Sequence, residues 1–279
     1  MAVLALIQVG CSLIYVARRP PMVRDEDKMA AVMVMVPCYN ESAAELRKTI
    51  DSVLANDYPD ENKLLVVVAD GVMTGKGEKM SCPETLGSIL GFHFDIHHKG
   101  YEYESVGAKT LNEASIYSGN YKNTKHPDKT LKYIVVVKQG TKEERGTARA
   151  GNRGKRDSQL LLFGILNRLQ YNRRPTDLDL KFADAINEMD LPLNVMEFLM
   201  AIDADTRVSE DAMKYFVHKM DHDASVLACC GETQVDNKMQ SFTTMCQVRY
   251  KCGVILSIFV GDNVKMPYTN PFCFHRPGL

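Results

Sequence analysis

"AAVMVMVPCYNESAAELRKTIDSVLANDYPDENKLLVVVADG", residues 30–71, decides how the rest of the chain is read. The valine-rich run at 30–36, ended by Pro37, has no polar alternation, as expected of a strand buried on both faces of a parallel sheet. Behind it, Ser42 and Glu45 stand at the spacing of a capping box. Leu46, Ile50, Val53 and Leu54 then return at helical spacing, so an amphipathic helix follows. Residues 63–70, "KLLVVVAD", repeat the strand pattern and stop at Asp70-Gly71. Strand, helix, strand is a right-handed βαβ unit, and such sheets collect ligands at the carboxyl ends of their strands.

The pattern continues C-terminally. Residues 92–130 are polar and without clear period, which predicts an insertion or long loop. "KYIVVVKQG" (132–140) is a third buried strand, and "DSQLLLFGILNRL" (157–169) a helix capped by Asp157 or Ser158. "EFLMAIDADT" (197–206) is a fourth strand. "SEDAMKYFVHKM" (209–220) is a helix with Glu210 and Asp211 in its first turn, and "ASVLACCGET" (224–233) a fifth strand. The expected fold is α/β, a mostly parallel Rossmann-like sheet flanked by helices. Towards the N-terminus, residues 1–17 are apolar and are followed by Arg18 and Arg19. The run falls just short of the ~20 residues of a spanning helix. Its charge follows the apolar stretch, unlike that of a signal peptide, and suits a cytosolic helix end. A transmembrane or membrane-associated helix over 1–19 is expected, with a buried soluble helix as the alternative.

Composition narrows the function. Lys and Arg total 34 against 35 Asp and Glu, a net charge of −1, so there is no basic field to gather nucleic acid. The 8 cysteines are scattered without a C-x-x-C pair, which favours a reducing environment over disulfides or a zinc site.

Every predicted strand ends in a polar signature: "PCYNE", "ADG", "KQG", "DADT" and "CGET". At one sheet edge, such a series would suit a charged nucleotide. Asp203 and Asp205, one residue apart, lie on the same side of an extended chain and offer hard oxygens to Mg²⁺ or Mn²⁺. Lys155 and Arg156 stand at a helix N-terminus, where a pyrophosphate meets both cations and free backbone donors, while Asp157 caps that helix or holds the arginine. A P-loop fails because Arg149 takes the place of its first glycine and Arg156 follows the lysine. His218 and His222 share a helical face, but Lys219 replaces the glutamate of a zincin motif, so a surface pair is expected.

Six segments, "VPCYNE" (36–41), "DSVLANDYP" (51–59), "VVVADGVMTGKG" (66–77), "GNRGKRDSQ" (151–159), "DADT" (203–206) and "CGETQVDNKMQSFTTMCQV" (230–248), together resemble the processive family 2 glycosyltransferases. "GKRDSQ" beside "CGET" makes that resemblance one to chitin synthases, against cellulose and hyaluronan synthases, and "DGVMTGKG" (70–77) is similar to their branch in oomycetes and some fungal classes. It implies a GT-A-like catalytic domain over 20–248, with an insertion at about 92–130 and a divergent tail at 249–279. It also implies inverting, metal-dependent transfer of N-acetylglucosamine from UDP-N-acetylglucosamine to a growing β-1,4 chitin oligosaccharide. By the same resemblance Pro37, Tyr39, Glu41 and Asp70 line the uridine pocket, and Lys155 and Arg156, with Asp157, lie by the diphosphate. Asp205 holds the divalent cation with Asp203 in support, and Gly231, Glu232 and Thr233 border the donor sugar and acceptor. It further implies a plasma-membrane location with the catalytic domain facing the cytoplasm, and a homo-oligomer is compatible with it. The Glu-Asp motif that supplies the general base and the Q-x-x-R-W acceptor motif have no counterpart in these residues, which implies a fragment that binds donor without polymerising. A synthase of another β-linked polysaccharide, or a non-catalytic UDP-sugar-binding partner of a complete synthase, are the alternatives.

Overall fold

The computed structural model describes residues 29–75, 77–107, 109–171, 173–191, 196–222, 226–231 and 272–275. The segment 1–19 and most of the tail 249–279 fall outside them. Among the described residues no helix is long and apolar enough to cross a membrane.

Strands β1 (Ala31–Cys38), β2 (Lys63–Ala69), β5 (Leu131–Lys138) and β6 (Met196–Ala201) run parallel as the core of an eight-stranded sheet of order β3-β4-β5-β2-β1-β6-β8-β7. The expected α/β class is therefore present. Helices α1 (Ala43–Ala55), α2 (Cys82–Leu90) and α5 (Ala212–His222) alternate along the chain with α3 (Lys155–Gln170) and α4 (Asp177–Asn187).

The apolar runs are continuous because both faces of the sheet are covered. Val32, Val34 and Val36 of β1 and Leu65 and Val67 of β2 share a core with Leu46, Ile50 and Val53 of α1 and Met213 and Phe216 of α5. The alternate residues Met33, Met35, Val66 and Val68 pack with Leu162 and Ile165 of α3 and Phe182 of α4. Period-two alternation is thus hidden in the sequence while the faces remain distinct.

Residues 92–130 are not a long loop. They carry β3 (Tyr101–Glu104) and β4 (Leu111–Tyr121), an antiparallel pair that docks along the whole of β5 and extends the sheet. The polarity is real, but Asn112, Glu113 and Ser115 are buried and bonded, so it marks an internal network and not solvent. On the other edge β7 (Ala228–Cys230) is short and reaches β6 only through β8 (Phe272–His275), which pairs antiparallel with both. The tail thus contributes a strand, and the fifth predicted strand does not join the parallel core.

Two helices escape the hydrophobic pattern yet carry start signals: Ser81 with Glu84 and Pro83 at α2, and Thr176 with Asp179 at α4. The capping box expected at Ser42 and Glu45 is present. Helix α3 starts earlier than expected, at Lys155, and Gly154, with φ +92°, occupies its cap without a side-chain bond. Asp157 lies inside the first turn, so neither it nor Ser158 is the cap.

Candidate active site

Chain order and sheet order part company between β1 and β6, since β1's other neighbour is β2. At such a switch point the loops leaving adjacent strands diverge and open a crevice. A cleft of about 430 Å³ lies there, lined by Pro37, Tyr39, Glu41, Asp70, Lys155, Asp203 and Asp205, together with Cys38, Asn152, Gly154 and Ala204. The structure thus brings together, around one cleft, seven of the sequence-selected positions.

Each wall is held from below. Strand β6 hands over to the D-x-D turn through Ile202 N, which donates to Met35 O at 2.9 Å, and Thr206 N donates to Asp203 O at 3.0 Å. Helix α1 fixes the same turn from the side: Thr49 Oγ1 donates to Ala204 O at 2.7 Å, and Ser52 Oγ accepts from Val208 N at 3.0 Å. With its neighbours tied down, Asp205 is left exposed and Asp203 half-exposed towards the cleft. Beyond β1, Glu41 accepts from Tyr39 N at 2.7 Å and shapes the turn that carries Tyr39.

The opposite wall is the "GNRGK" segment. Asp70, at the end of β2, accepts from Arg153 N at 2.9 Å, from Gly154 N at 2.9 and 3.1 Å, and from the Asn152 side chain at 3.0 Å. The segment also demands glycine: Gly151 has φ +73°, and a Cβ there would stand 2.1 Å from Lys138 O. Lys155 follows as the first residue of α3 and extends over the cleft to pair with Asp203. Arg156 is exposed and does not line the cleft, while Asp157 is buried behind it. Gly231 is buried and outside the cleft lining, and Glu232 and Thr233 lie outside the described residues.

Residues that the sequence did not single out complete the site. Lys138, fully buried at the end of β5, pairs with Asp70 at 2.5 Å and Asp157 at 2.9 Å. Asp157 also accepts from Tyr103 Oη at 3.0 Å and Val106 N at 2.8 Å, and burial, then the Asp157 charge, push the Tyr103 phenol far up. Arg153, Asn152 and Cys38 also went unremarked as site residues. Cys38 sits in the cleft wall with its Sγ 3.5 Å from Cys82 Sγ. The Cys82 hydrogen bond, then burial, raise its thiol pKa and keep it protonated. The sequence offers only a weak signal for Lys138, a lysine ending an apolar strand whose neighbour ends in Asp70.

Two carboxylates one residue apart are hard oxygen donors on an open wall, as a divalent cation sharing its sphere with phosphate oxygens requires. Among the described residues no three His, Cys, Asp or Glu side chains gather into a complete ligand set.

A family model described as chitin synthase matches residues 13–252. Chitin synthase 6 of Mycosarcoma maydis is 40% identical over 248 residues, 88% of this chain and 20% of that protein. Chitin synthase 3 of Saccharomyces cerevisiae is 39% identical over 223 residues, 76% of this chain and 19% of that protein, and chitin synthase 5 of Pyricularia oryzae 36% over 251, 89% and 14%. The chain thus spans about a fifth or less of the length of these curated relatives. Among solved structures, the mannosyltransferase PcManGT from Pyrobaculum calidifontis in complex with GDP-Man and Mn²⁺ aligns with a TM-score of 0.42 at 16% identity, covering 99% of this chain and 55% of that one.

Proposed function

The chain belongs to the chitin synthase family, and from that premise we propose that its cleft is the donor site of a metal-dependent transferase for UDP-N-acetylglucosamine acting on a β-1,4 chitin chain. One observation carries the reading: the cleft at the sheet's switch point sets the carboxylates Asp203 and Asp205 opposite Lys155 at the start of α3.

Sugar transfer with inversion breaks the bond between the anomeric carbon and the β-phosphate oxygen while an acceptor hydroxyl attacks from the other face. Negative charge grows on the departing diphosphate, and groups that meet it in place lower the barrier. A divalent cation held by Asp205, with Asp203 in support, would supply that neutralisation as a Lewis acid. Lys155 supplies charge from the other wall. Its pair with Asp203 is half-exposed on both sides, worth about 1 kcal/mol or less, so an arriving diphosphate can exchange for the carboxylate at little cost. Arg156 is exposed beside it and free to turn towards the same group. Pro37, Tyr39, Glu41 and Asp70, which line the same cleft, are assigned to the nucleoside by the family resemblance. Gly231, Glu232 and Thr233 are assigned to the sugar and acceptor side by the family resemblance. The same reading places the domain on the cytoplasmic face of the plasma membrane, attached through residues 1–19.

Titration calorimetry with UDP-N-acetylglucosamine, in Mn²⁺ and in chelator, tests the donor assignment. Binding in Mn²⁺ that disappears in chelator and in Asp205→Ala is the expected result. Metal-independent binding unaffected by that substitution would remove Asp205 from its role, and tighter binding of UDP-glucose would overturn the sugar assignment.

A further inference from the structure

Behind the cleft wall lies a buried ionic cluster in which Asp70 reaches the cleft lining while Lys138 and Asp157 do not. Lys138 Nζ, fully buried, sits 2.5 Å from Asp70 Oδ1 and 2.9 Å from Asp157 Oδ2, and donates to Gly154 O at 3.3 Å. Asp70 ends β2, Lys138 ends β5, and Asp157 lies in the first turn of α3. Each carboxylate also takes backbone or hydroxyl donors: Arg153 N and Gly154 N at Asp70, Val106 N and Tyr103 Oη at Asp157. Asn112 extends the cluster, donating to Tyr103 Oη at 2.8 Å and to Gly151 O at 3.0 Å. Most of these contacts end on residues 151–157, whose outward side is Gly154 and Lys155 of the cleft.

A lone lysine buried in this way would be costly, and burying two carboxylates without it costlier still. Apolar residues of the same volume would hold the core as well. What they could not do is connect two strand ends and a helix start by directional bonds with defined lengths. We propose that Lys138 is a positioning residue, which by pairing at once with Asp70 and Asp157 fixes the start of α3 so that Lys155 and the first amides of that helix meet a diphosphate. The inference rests on the donor-site reading above. It separates the diphosphate end of the site, which depends on Lys138 and Asp157, from the nucleoside end, where Pro37, Tyr39 and Glu41 of β1 and its following turn stand with Asp70.

The double variant Lys138→Met/Asp157→Asn keeps the cluster's net charge, because one cation and one anion are removed together, and so limits the damage to folding. Calorimetry on the full chain with UDP and with uridine, in Mn²⁺, compares the two ends of the site. The expected result is an affinity for UDP lower by about tenfold with that for uridine unchanged, the size of a lost charge-assisted contact. Equal losses for both, or no loss for either, would overturn the assignment. Amide hydrogen exchange gives a reading that needs no ligand. Faster exchange over 153–158 with α1 unchanged supports the positioning role, while uniform acceleration or none refutes it. If wild-type protein binds no UDP, the donor-site reading fails, and the exchange data still decide whether Lys138 holds the start of α3. Lys138→Arg, which keeps the charge, should recover part of the slow exchange.

Discussion

At the scale of single residues, the two most informative side chains are lysines that a polarity scan assigns to solvent. Lys63 begins β2 and is fully buried; its Nζ donates to Leu54 O and Asn56 O at 3.3 Å and pairs with Asp60 at 2.9 Å. It neutralises the carboxyl end of α1, where orphan carbonyls and the helix dipole attract a cation. Burial is the main cause that lowers its pKa, with Asp60 opposing. A base whose folded pKa lies below its unfolded value makes the unfolded state the tighter proton binder, so its contribution to stability improves as pH rises from the folded pKa to the ordinary lysine value. Lys63→Met leaves Leu54 O and Asn56 O without their donor and should be less stable than wild type, and the linkage makes the gap widen over that alkaline window. Denaturant melts at stepped pH check this, and a gap that does not change with pH would mean the lysine is not charged and buried in the native state. Thr49 offers a second test. Thr49→Val leaves Ala204 O without its 2.7 Å donor, costing about 1–3 kcal/mol. It should also weaken metal-dependent UDP binding, because the released carbonyl stands between Asp203 and Asp205. Asp203 and Asp205 were legible as cleft residues because a repeated acid follows an apolar strand and is matched by polar endings on the other strands. Lys138 was not, because one charge at a strand end looks the same whether it enters water or a salt bridge.

Secondary-structure elements were legible where burial was apolar. Strands β1, β2, β5 and β6 announced themselves because two covered faces demand hydrophobic residues at most positions, with Lys63, Lys132, Lys138 and Glu197 the charged exceptions. Strands β3 and β4 did not, since Asn112, Glu113 and Ser115 are buried polar residues whose partners are distant in sequence. Helix α2 was missed for a different reason. It is short, and its evidence is local chemistry: Pro83 in the first turn, Gly91 closing it at φ +88°, and Glu84 accepting from Ser81 N and Ser81 Oγ at 2.7 Å. Those bonds, the Ser81 hydroxyl first, hold the Glu84 carboxyl below its ordinary value. A carboxylate with a depressed folded pKa contributes stability that is present above its unfolded value and lost as pH falls through the folded one. Glu84→Gln should accordingly cost about 0.5 kcal/mol at neutral pH. The difference should vanish in acid, where wild-type Glu84 is itself neutral. Thermal melts of the two proteins at pH 7 and below the folded pKa read this directly. A difference persisting in acid would assign the effect to packing and not to the cap.

For the molecule as a whole, the site depends on both sides of the parallel core. β1 and β6 open the cleft, and the β3–β4 hairpin, on the β5 side of the sheet, secures its far wall. The hairpin reaches the "GNRGK" segment at several points: Val106 N to Asp157 at 2.8 Å, Arg153 Nη2 to Leu111 O at 2.8 Å, and Lys109 to Glu144 at 2.6 Å, with Glu144 in turn 3.0 Å from Arg153. It also covers β5, pairing along its whole length and hiding a strand whose centre is Tyr-Ile-Val-Val-Val. Replacing residues 101–121 by a short flexible linker should therefore have two separable effects. Uncovering β5 creates a long apolar edge of the kind that recruits other strands, so the shortened chain should self-associate, as light scattering would show. Releasing Asp157 and Arg153 should also free the start of α3, so proteolytic cleavage within 141–154 should quicken in whatever monomer remains. Addition of UDP with Mn²⁺ should slow that cleavage in wild type but not in the shortened chain, because the anion can order only a wall that is already held in place. A monomeric shortened chain with wild-type protection of 141–154 would show that the site is built without the hairpin, and that residues 101–121 are dispensable to it.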